Sequence, residues 1–206
     1  MTDEKRTVCG FEVHLAIHVG EREVLFLLDP TSKETPYIVG YCEGIPAFVA
    51  ERFVDAVGSD DYLEMVDEFL LRVKGQVDQL RAERERSNEP QEVLGAEHCL
   101  PGGMKHHLEG RVVILKPETL RHEYRNAASQ LVYVTGGNGA SPDGHGTAVF
   151  GKYVFSGESR DCRRHQVLGV LDPDKAPDWV RPGVEKIRAQ YEAYKPPMPK
   201  DRGDRG

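Results

Sequence analysis

Residues 11–28 read FEVHLAIHVGEREVLFLL, and this stretch sets the fold of the first half of the chain. In residues 11–19 a large apolar side chain stands at every second position, and a period of two predicts a β-strand with one buried face. A tight turn at 20–22 leads into the apolar run 24–28, which predicts the antiparallel partner strand. The segment YIVGY, residues 37–41, predicts a third strand, so the chain is expected to open with an antiparallel meander.

Two helices are predicted to follow this meander. A proline at the first helical turn, an apolar face and a stop at Gly58 predict a first helix over 46–57. Asp61, with Glu64 three residues later, is typical of the start of a second helix, which is expected to end before Pro90. The second helix carries six apolar residues at spacings of three and four, which is the helical period: Leu63, Val66, Leu70, Val73, Val77 and Leu80.

This apolar stripe has two interpretations. The favoured one is that the stripe packs on the opening sheet, because an amphipathic helix of a globular protein buries its apolar face in the core. The alternative is that the six residues bind a partner helix or form the seam of a homodimer, since fewer than three or four heptads do not separate a core helix from a coiled coil. Both interpretations predict one continuous helix and differ in what covers its apolar side.

The second half of the chain is predicted to be rich in β-strands. Residues 91–110 are turn-rich and predict a connection between two domains. Gly151 is expected to form a β-bulge. Four apolar runs predict a small antiparallel sheet or a partly closed barrel: residues 112–115, 131–135, 148–155 and 167–171. A last amphipathic helix, with Trp179 packed under it, is predicted from four apolar positions: Val184, Ile187, Tyr191 and Tyr194.

Together these elements predict an α+β fold, with N-terminal antiparallel strands and two helices before a small β-rich half that ends in a helix. The predicted N-terminal domain covers residues 1–90, the connection covers 91–110, and the β-rich domain covers 111–195. Residues 196–206 have no apolar periodicity and are predicted to be a disordered tail.

Composition narrows the classes of function. The 206 residues carry a net charge of −7, which disfavours nucleic acid as a partner, because binding to phosphates needs clustered lysines and arginines. No run approaches the roughly 20 apolar residues that span a bilayer, and residues 1–10 lack the apolar segment of a secretory signal. The four cysteines are scattered, as expected for reduced thiols. These features predict a cytoplasmic protein with no membrane partner.

The most unusual segment is TGGNGASPDGHG, residues 135–146, with five glycines in twelve residues between two predicted strands. A simple hairpin needs only about two to five loop residues, so this loop is longer than the turn requires. Glycines allow positive φ and close backbone approach, and consecutive amides in such a loop can form an anion-binding nest. The segment lacks the Gly-Lys-Ser/Thr ending of a phosphate loop and the dinucleotide fingerprint. A structural loop is the favoured interpretation, and contact with a ligand or partner is the alternative.

A cationic cluster follows on the next predicted hairpin. It comprises Arg160, Arg163, Arg164 and His165, and it is interpreted either as a solvated charged face balanced by nearby acids or as an anion site. The hypothesis is that loop amides and Arg164 together bind an anionic group, because a guanidinium fork matches phosphate or carboxylate. The predicted ligand-binding residues are Thr135, Gly136, Gly137, Asn138, Gly139, His145, Arg160, Arg163 and Arg164.

Metal and catalytic motifs are weak in this sequence. The candidate metal ligands lack the short Cys-Cys or His-His spacing of structural zinc sites, so neither a metal nor a cofactor is predicted. They are His98, Cys99, His106, His107 and His122. Ser141, Asp143 and His145 share one loop, but a catalytic triad is normally assembled from separated segments. No catalytic residue is predicted.

A set of short motifs is spread over residues 112–179. They are Leu115-Lys116-Pro117-Glu118, Glu123-Tyr124-Arg125, Thr135-Gly136-Gly137, GTAVF at 146–150, Gly157-Glu158 and Pro177-Asp178-Trp179. This third of the chain resembles an uncharacterised family of small domains encoded by bacteria and by their phages and conjugative elements. In that family an aromatic residue follows the double glycine, where this chain has Asn138. The resemblance implies the context of a mobile genetic element and no particular chemistry.

The function predicted from the sequence is a non-enzymatic accessory or regulatory protein of a bacterial mobile element. It is expected to bind a protein partner or a small anionic ligand through its β-rich half. One alternative is an enzyme acting on a phosphorylated or nucleotide substrate at the glycine-rich loop. The other alternative is a nucleic-acid-associated factor that uses the basic residues at 160–165.

Overall fold

The computed structural model of the chain describes residues 6–43 and 52–193. It confirms the predicted α+β class, with two antiparallel sheets, a long helix in the first half and a helix near the end. The chain divides into two compact units, Met1–Asn88 and Glu89–Gly206, which are described separately below. None of the described helices is both long enough and apolar enough to cross a membrane.

The first unit contains a five-stranded antiparallel sheet whose strands lie side by side in chain order. The three strands predicted from the opening stretch are β2, β3 and β4, and all three are confirmed. The strands are β1 (Thr7–Val8), β2 (Phe11–Val19), β3 (Arg22–Leu28), β4 (Tyr37–Glu43) and β5 (Arg52–Ser59). β3 is the central strand, and both of its faces are buried in apolar clusters.

The helix predicted over 46–57 is wrong for residues 52–57, which belong to strand β5, while residues 46–51 lie outside the described part of the chain. β5 pairs with β4, and the register shifts between Val39 and Tyr41. At this shift Asp55 adopts a left-handed conformation with a φ of 54°. The irregularity interrupts the alternation of apolar residues, so the period that marks a strand is missing from the sequence.

Strand β2 also departs from regular alternation. Its register with β3 shifts between Val13 and Leu15, so Val13 pairs with Leu27 while Leu15 pairs with Phe26. Leu27 and Phe26 point to opposite faces of the sheet, and β2 therefore changes face at the shift. The prediction of one buried apolar face is wrong, because Leu15 and Ile17 lie on the other face from Val13 and are 42% and 40% exposed.

The long helix α1 (Tyr62–Ser87) begins where its capping residues predict. The Asp61 carboxylate accepts hydrogen bonds from the backbone N–H groups of Leu63, at 2.8 Å, and Glu64, at 3.2 Å. These bonds satisfy two of the amides that a helix leaves open at its first turn. The helix ends at Asn88, whose left-handed conformation closes the last turn.

Helix α1 packs on the sheet of the first unit, as the favoured interpretation of its apolar stripe predicts. Met65 and Phe69 are buried in a cluster with side chains of β3 and β4. Two residues of the predicted stripe, Val66 and Val73, are partly buried beside them. The sheet therefore covers one side of the helix, centred near Phe69.

The predicted stripe does not face the sheet as a whole. Leu63 is 71% exposed and Leu70 is 54% exposed, although both occupy the heptad positions of the stripe. The spacing of three and four marks a helix correctly, but the packed face is centred on Met65 and Phe69, which lie to one side of the six-residue stripe. Two of its leucines are therefore left at the solvent-exposed edge of the packed face.

The second unit contains another five-stranded antiparallel sheet, in the order β10-β6-β7-β8-β9. Its strands are β6 (Val112–Leu115), β7 (Leu131–Gly136), β8 (Ala148–Tyr153), β9 (Ser159–Arg163) and β10 (Val167–Val170). The four predicted strands are confirmed. The fifth strand, β9, was not predicted, because its residues are mostly charged and form no apolar run. The register shifts of this sheet lie in β7, between Val134 and Gly136, and in β10, between Val167 and Gly169, rather than at Gly151 as predicted.

Helices and the segment after α1 cover both faces of this second sheet. The short α2 (Ala127–Gln130) precedes β7, and the predicted terminal helix is α3 (Val180–Ala193). Trp179 stands just before α3 and packs edge-on against Phe155. Residues 91–110, expected to be a connection, contribute Leu94 and Leu108 to the core of the second unit.

Candidate functional site

The glycine-rich segment between β7 and β8 is folded by its own hydrogen bonds. Gly137 has a φ of +110°, and a Cβ atom there would meet the Ala148 carbonyl oxygen. The Gly139 N–H donates to that same carbonyl at 2.8 Å, and the Asn138 side-chain oxygen accepts from the Ala148 N–H at 3.2 Å. Two of the glycines therefore serve close approach of backbone to backbone.

Arg164 meets this loop, as the sequence-based hypothesis requires. Its guanidinium donates to the Gly139 carbonyl at 2.5 Å and to the His106 carbonyl at 3.0 Å. Its own backbone N–H donates to the Thr147 carbonyl at 2.7 Å. The contact between Arg164 and the loop thus runs through carbonyl oxygens, which are acceptors, so Arg164 ties the loop to the segment around His106.

The other predicted ligand-binding residues are distributed over two faces of the sheet. Arg163 donates to the Thr147 hydroxyl at 3.1 Å and so contacts the residue that directly follows the loop. Thr135 donates to the Phe150 carbonyl at 3.3 Å, and His145 lies in the exposed part of the loop. Arg160 lies on the same face of β9 as the buried Cys162, with its guanidinium 5.7 Å from the centre of the Tyr153 ring.

Burial is the main cause of the pKa shifts of two groups beside Arg160, the Tyr153 hydroxyl and the Cys162 thiol. It raises the pKa of the Tyr153 hydroxyl above its usual value, and the positive charge of Arg160 opposes the shift. The pKa of the Cys162 thiol is raised for the same reason, again with Arg160 acting in the opposite direction. A thiol with a raised pKa holds little thiolate at neutral pH, so Cys162 is a poor nucleophile in the folded protein.

The candidate metal ligands are not gathered into one site. The His106 ring nitrogen lies 2.7 Å from the Pro101 carbonyl, and His98 lies beside Glu97. Across residues 6–43 and 52–193, no three His, Cys, Asp or Glu side chains come together in a group that could hold a metal ion. Within the loop, the Asp143 backbone N–H donates to the Ser141 hydroxyl at 3.4 Å, which is a local turn contact.

Sequence reasoning missed a cleft of about 790 Å³ in the second unit, between α3 and one end of the sheet. Apolar side chains form its floor, among them Val112 and Val184, which pack on the core beneath. Its arginines are Arg111, Arg181 and Arg188, and two acids, Asp178 and Glu185, also line it. The cleft therefore joins an apolar floor to a mainly cationic rim.

Tyr133 and Arg188 contact each other at this rim. The Arg188 Nε atom donates to the Tyr133 hydroxyl at 3.2 Å, and the guanidinium lies 5.5 Å from the centre of the same ring. The two contacts place the guanidinium beside the Tyr133 ring, and the hydrogen bond uses Nε rather than the terminal nitrogens. Arg181 differs, because its Nε atom is paired with the Glu185 carboxylate at 3.2 Å.

The signal for this cleft is faint in the sequence. Its lining runs from Leu100 to Arg188, so residues separated by most of the second unit meet there. The one local clue is that Arg181 and Arg188 stand seven residues apart in a predicted helix, which places them on one face. The other lining residues come together only when β6 pairs with β7 and α3 packs on the sheet.

Comparison with known proteins gives no match for this chain among family models, curated proteins or solved structures. The similarity to small domains of mobile genetic elements, and the context that it implies, therefore stay a prediction from the motifs.

Proposed function

We propose that this chain is a binding protein whose second unit holds a small organic anion with an apolar part. The observation that carries the proposal is the cleft of about 790 Å³, with its apolar floor and its rim of arginines. Ligand sites of roughly 300–1,000 Å³ are typically apolar with a few placed polar groups, and this cleft has that character. The accessory role in a bacterial mobile element is part of the same proposal.

The rim favours an anion over a neutral or cationic ligand. Three arginines line the cleft against two acids, and one of those acids, Glu185, is paired with Arg181. A guanidinium offers a planar fork of donors that fits a carboxylate, sulfonate or phosphate. The Tyr133 hydroxyl and ring already orient the guanidinium of Arg188, so less side-chain freedom is lost when an anion binds.

For the glycine-rich loop we propose a supporting role. Arg164 bridges the loop and the segment at His106, and Leu108 donates its N–H to the Ala140 carbonyl at 2.8 Å. Ala140 is buried in the core on which the second sheet rests. These contacts order the end of the sheet at which β7 finishes and β8 begins.

The aromatic sulfonate 8-anilinonaphthalene-1-sulfonate is a suitable probe, because it joins apolar rings to a single anionic group. In a fluorescence titration, Arg188→Gln should weaken its binding by about tenfold or more, since a charge-assisted contact is lost. Arg163→Gln, which removes an arginine of the same unit outside the cleft, should leave the affinity unchanged.

The neutral analogue N-phenyl-1-naphthylamine has the same rings without the sulfonate, and it separates charge from shape. Its affinity should be insensitive to Arg188→Gln if the arginine recognises the anionic group. An equal loss for both probes would mean that the substitution only deforms the cleft. An unchanged sulfonate affinity would refute the proposed site.

We also propose that the first unit binds a protein partner through the exposed side of α1. Support comes from the exposure of Leu63 and Leu70, since two large apolar side chains one heptad apart form a surface that water solvates poorly. A Leu63→Glu, Leu70→Glu double variant used as bait should lose a protein that the unchanged chain retains. Retention of the same proteins by both baits would count against this role.

A further inference from the structure

We infer that the partner of the first unit is a second copy of this chain, with the two α1 helices antiparallel across their exposed flanks. This inference rests on the proposed protein-binding role and adds the identity and orientation of the partner. It is carried by the apolar residues that the sheet leaves uncovered, and by the order of charges along α1.

The flank is located by Arg72, which marks the opposite side of the helix. Arg72 donates to the Asp55 carbonyl of β5 at 2.6 Å and lies 5.1 Å from the centre of the Tyr41 ring of β4. At about 100° per residue, Leu63 and Leu70 lie on the other side of the packed face from Arg72. Since β4 and β5 are at one end of the strand order, Leu63 and Leu70 lie toward β2.

Strand β2 presents apolar side chains on this same side of the sheet. Leu15 pairs with Phe26, and Ile17 pairs with Val24. Phe26 and Val24 are both buried under α1, so Leu15 and Ile17 share the face on which the helix lies. Both are exposed by about two fifths. The two leucines of α1 and these two residues of β2 form one exposed apolar strip, called the α1–β2 strip below.

The sequence of α1 is self-complementary about Leu70. Leu63 stands seven residues before it and Val77 seven residues after it, so a two-fold axis at Leu70 places Leu63 of one copy against Val77 of the other. The same axis places Asp67 of one copy near Lys74 of the other, where Lys74 also pairs with Asp78 of its own helix. A parallel arrangement would place these two side chains on opposite edges of the contact, because each flank of one helix then faces the other flank of its partner, and the pairing of Asp67 with Lys74 would be lost.

The proposed contact area is small, and this limits the expected affinity of the dimer. One helix flank and one strand per copy cover less than the roughly 800 Å² per partner of a standard stable interface. The dimer should therefore dissociate in the micromolar range and be visible only as a function of concentration. A contact of this size suits a reversible association.

Sedimentation velocity of the full chain over a concentration series tests the inference. The unchanged chain should move from monomer to dimer, and Leu70→Glu should raise the dissociation constant by about tenfold or more, because it buries a carboxylate at the two-fold axis. Leu71→Glu is the matched control. Leu71 is 67% exposed on the same helix but lies about 100° round it from Leu70, on the side farthest from the sheet, so its substitution should weaken the dimer much less than Leu70→Glu does.

Charge reversal tests the antiparallel orientation separately. Asp67→Lys should weaken the dimer because it sets a lysine against Lys74 of the other copy. Adding Lys74→Asp, together with Asp78→Asn to remove the acid that pairs with Lys74 in its own helix, should restore the association by exchanging the two charges. A failure to restore it would overturn the antiparallel arrangement.

Two outcomes would overturn the inference while leaving other claims standing. A dimer equally tolerant of Leu70→Glu and Leu71→Glu would show that the α1–β2 strip is not the interface. A chain that stays monomeric throughout the series would show that the partner is not a second copy. If such a monomer still captured a protein that the Leu63→Glu, Leu70→Glu variant loses, protein binding by the first unit would survive.

Discussion

At the scale of single residues, Gln130 shows how one buried amide joins separate segments. It is fully buried, and its side chain accepts from the Leu94 N–H at 2.8 Å and donates to the Leu94 and Leu115 carbonyls at 2.9 and 3.0 Å. Leu94 belongs to the segment after α1 and Leu115 ends β6. One side chain thus satisfies three buried backbone groups that no water reaches.

Replacing Gln130 by leucine should lower the free energy of unfolding of the second unit by about 3 kcal/mol, because three backbone groups lose their partner. Urea unfolding followed by the fluorescence of Trp179, the only tryptophan, measures this unit directly. Gln190→Leu is the control, since Gln190 is exposed on α3 and should cost less than about 0.5 kcal/mol. Equal effects of the two substitutions would contradict the role given to Gln130.

Register shifts in the strands of the first sheet change which of their side chains are buried. β2 changes face at its bulge, and β5 shifts register at Asp55. A bulge adds one residue to one strand and exchanges the inner and outer positions beyond it. The exposed apolar positions of β2 are thus a consequence of one extra residue between Val13 and Leu15.

The glycine-rich loop makes an element-scale prediction at Gly137. Gly137→Ala adds a methyl group against the Ala148 carbonyl at a residue whose φ is already positive. The substitution should destabilise the second unit by about 2–3 kcal/mol in the same Trp179 urea assay, and it should speed protease cleavage within residues 138–147.

A substitution at Gly157 measures the cost of backbone strain without a steric clash. Its φ is also positive, at +78°, but a Cβ atom there meets nothing within 4 Å. Gly157→Ala should therefore cost only the conformational strain, about 1 kcal/mol. If Gly137→Ala proved no more harmful than Gly157→Ala, the close approach to Ala148 would not be what requires glycine there.

At the scale of the whole molecule, each unit has its own sheet and its own apolar clusters. A polypeptide that ends at Asn88 and one that begins at Glu89 should each fold, because each exceeds the size at which a domain can bury a core of its own. Well-dispersed amide resonances in the nitrogen-15 spectrum of each would bear this out. Collapsed dispersion in either would mean that the unit depends on the other.

Because each proposed binding activity lies in one unit, each can be tested on that unit alone. The polypeptide that ends at Asn88 should keep the concentration-dependent association, and the one that begins at Glu89 should keep the binding of the aromatic sulfonate. The reverse distribution would show that both sites have been placed on the wrong unit.

Local pattern alone determined much of this protein. The alternation in residues 11–19 and the apolar runs of the second half predict strands that the structure contains, and the cap at Asp61 with the three-four spacing predicts α1. Such elements are predictable because strand and helix periods arise from backbone geometry within a few residues. The meeting of the glycine loop with Arg164 is only a hypothesis at the level of sequence, because consecutive hairpins can bring neighbouring turns together without local pattern fixing that they do.

Only the tertiary structure decided which faces are buried and where the cleft lies. No local pattern reveals β5 or the change of face in β2, because a bulge removes the period on which such a prediction depends. The cleft is lined by residues from Leu100 to Arg188, and Gly137 has no room for a side chain because the Ala148 carbonyl lies where its Cβ atom would be. These features depend on contacts between residues far apart in the chain, which strand pairing and helix packing fix only when the whole unit folds.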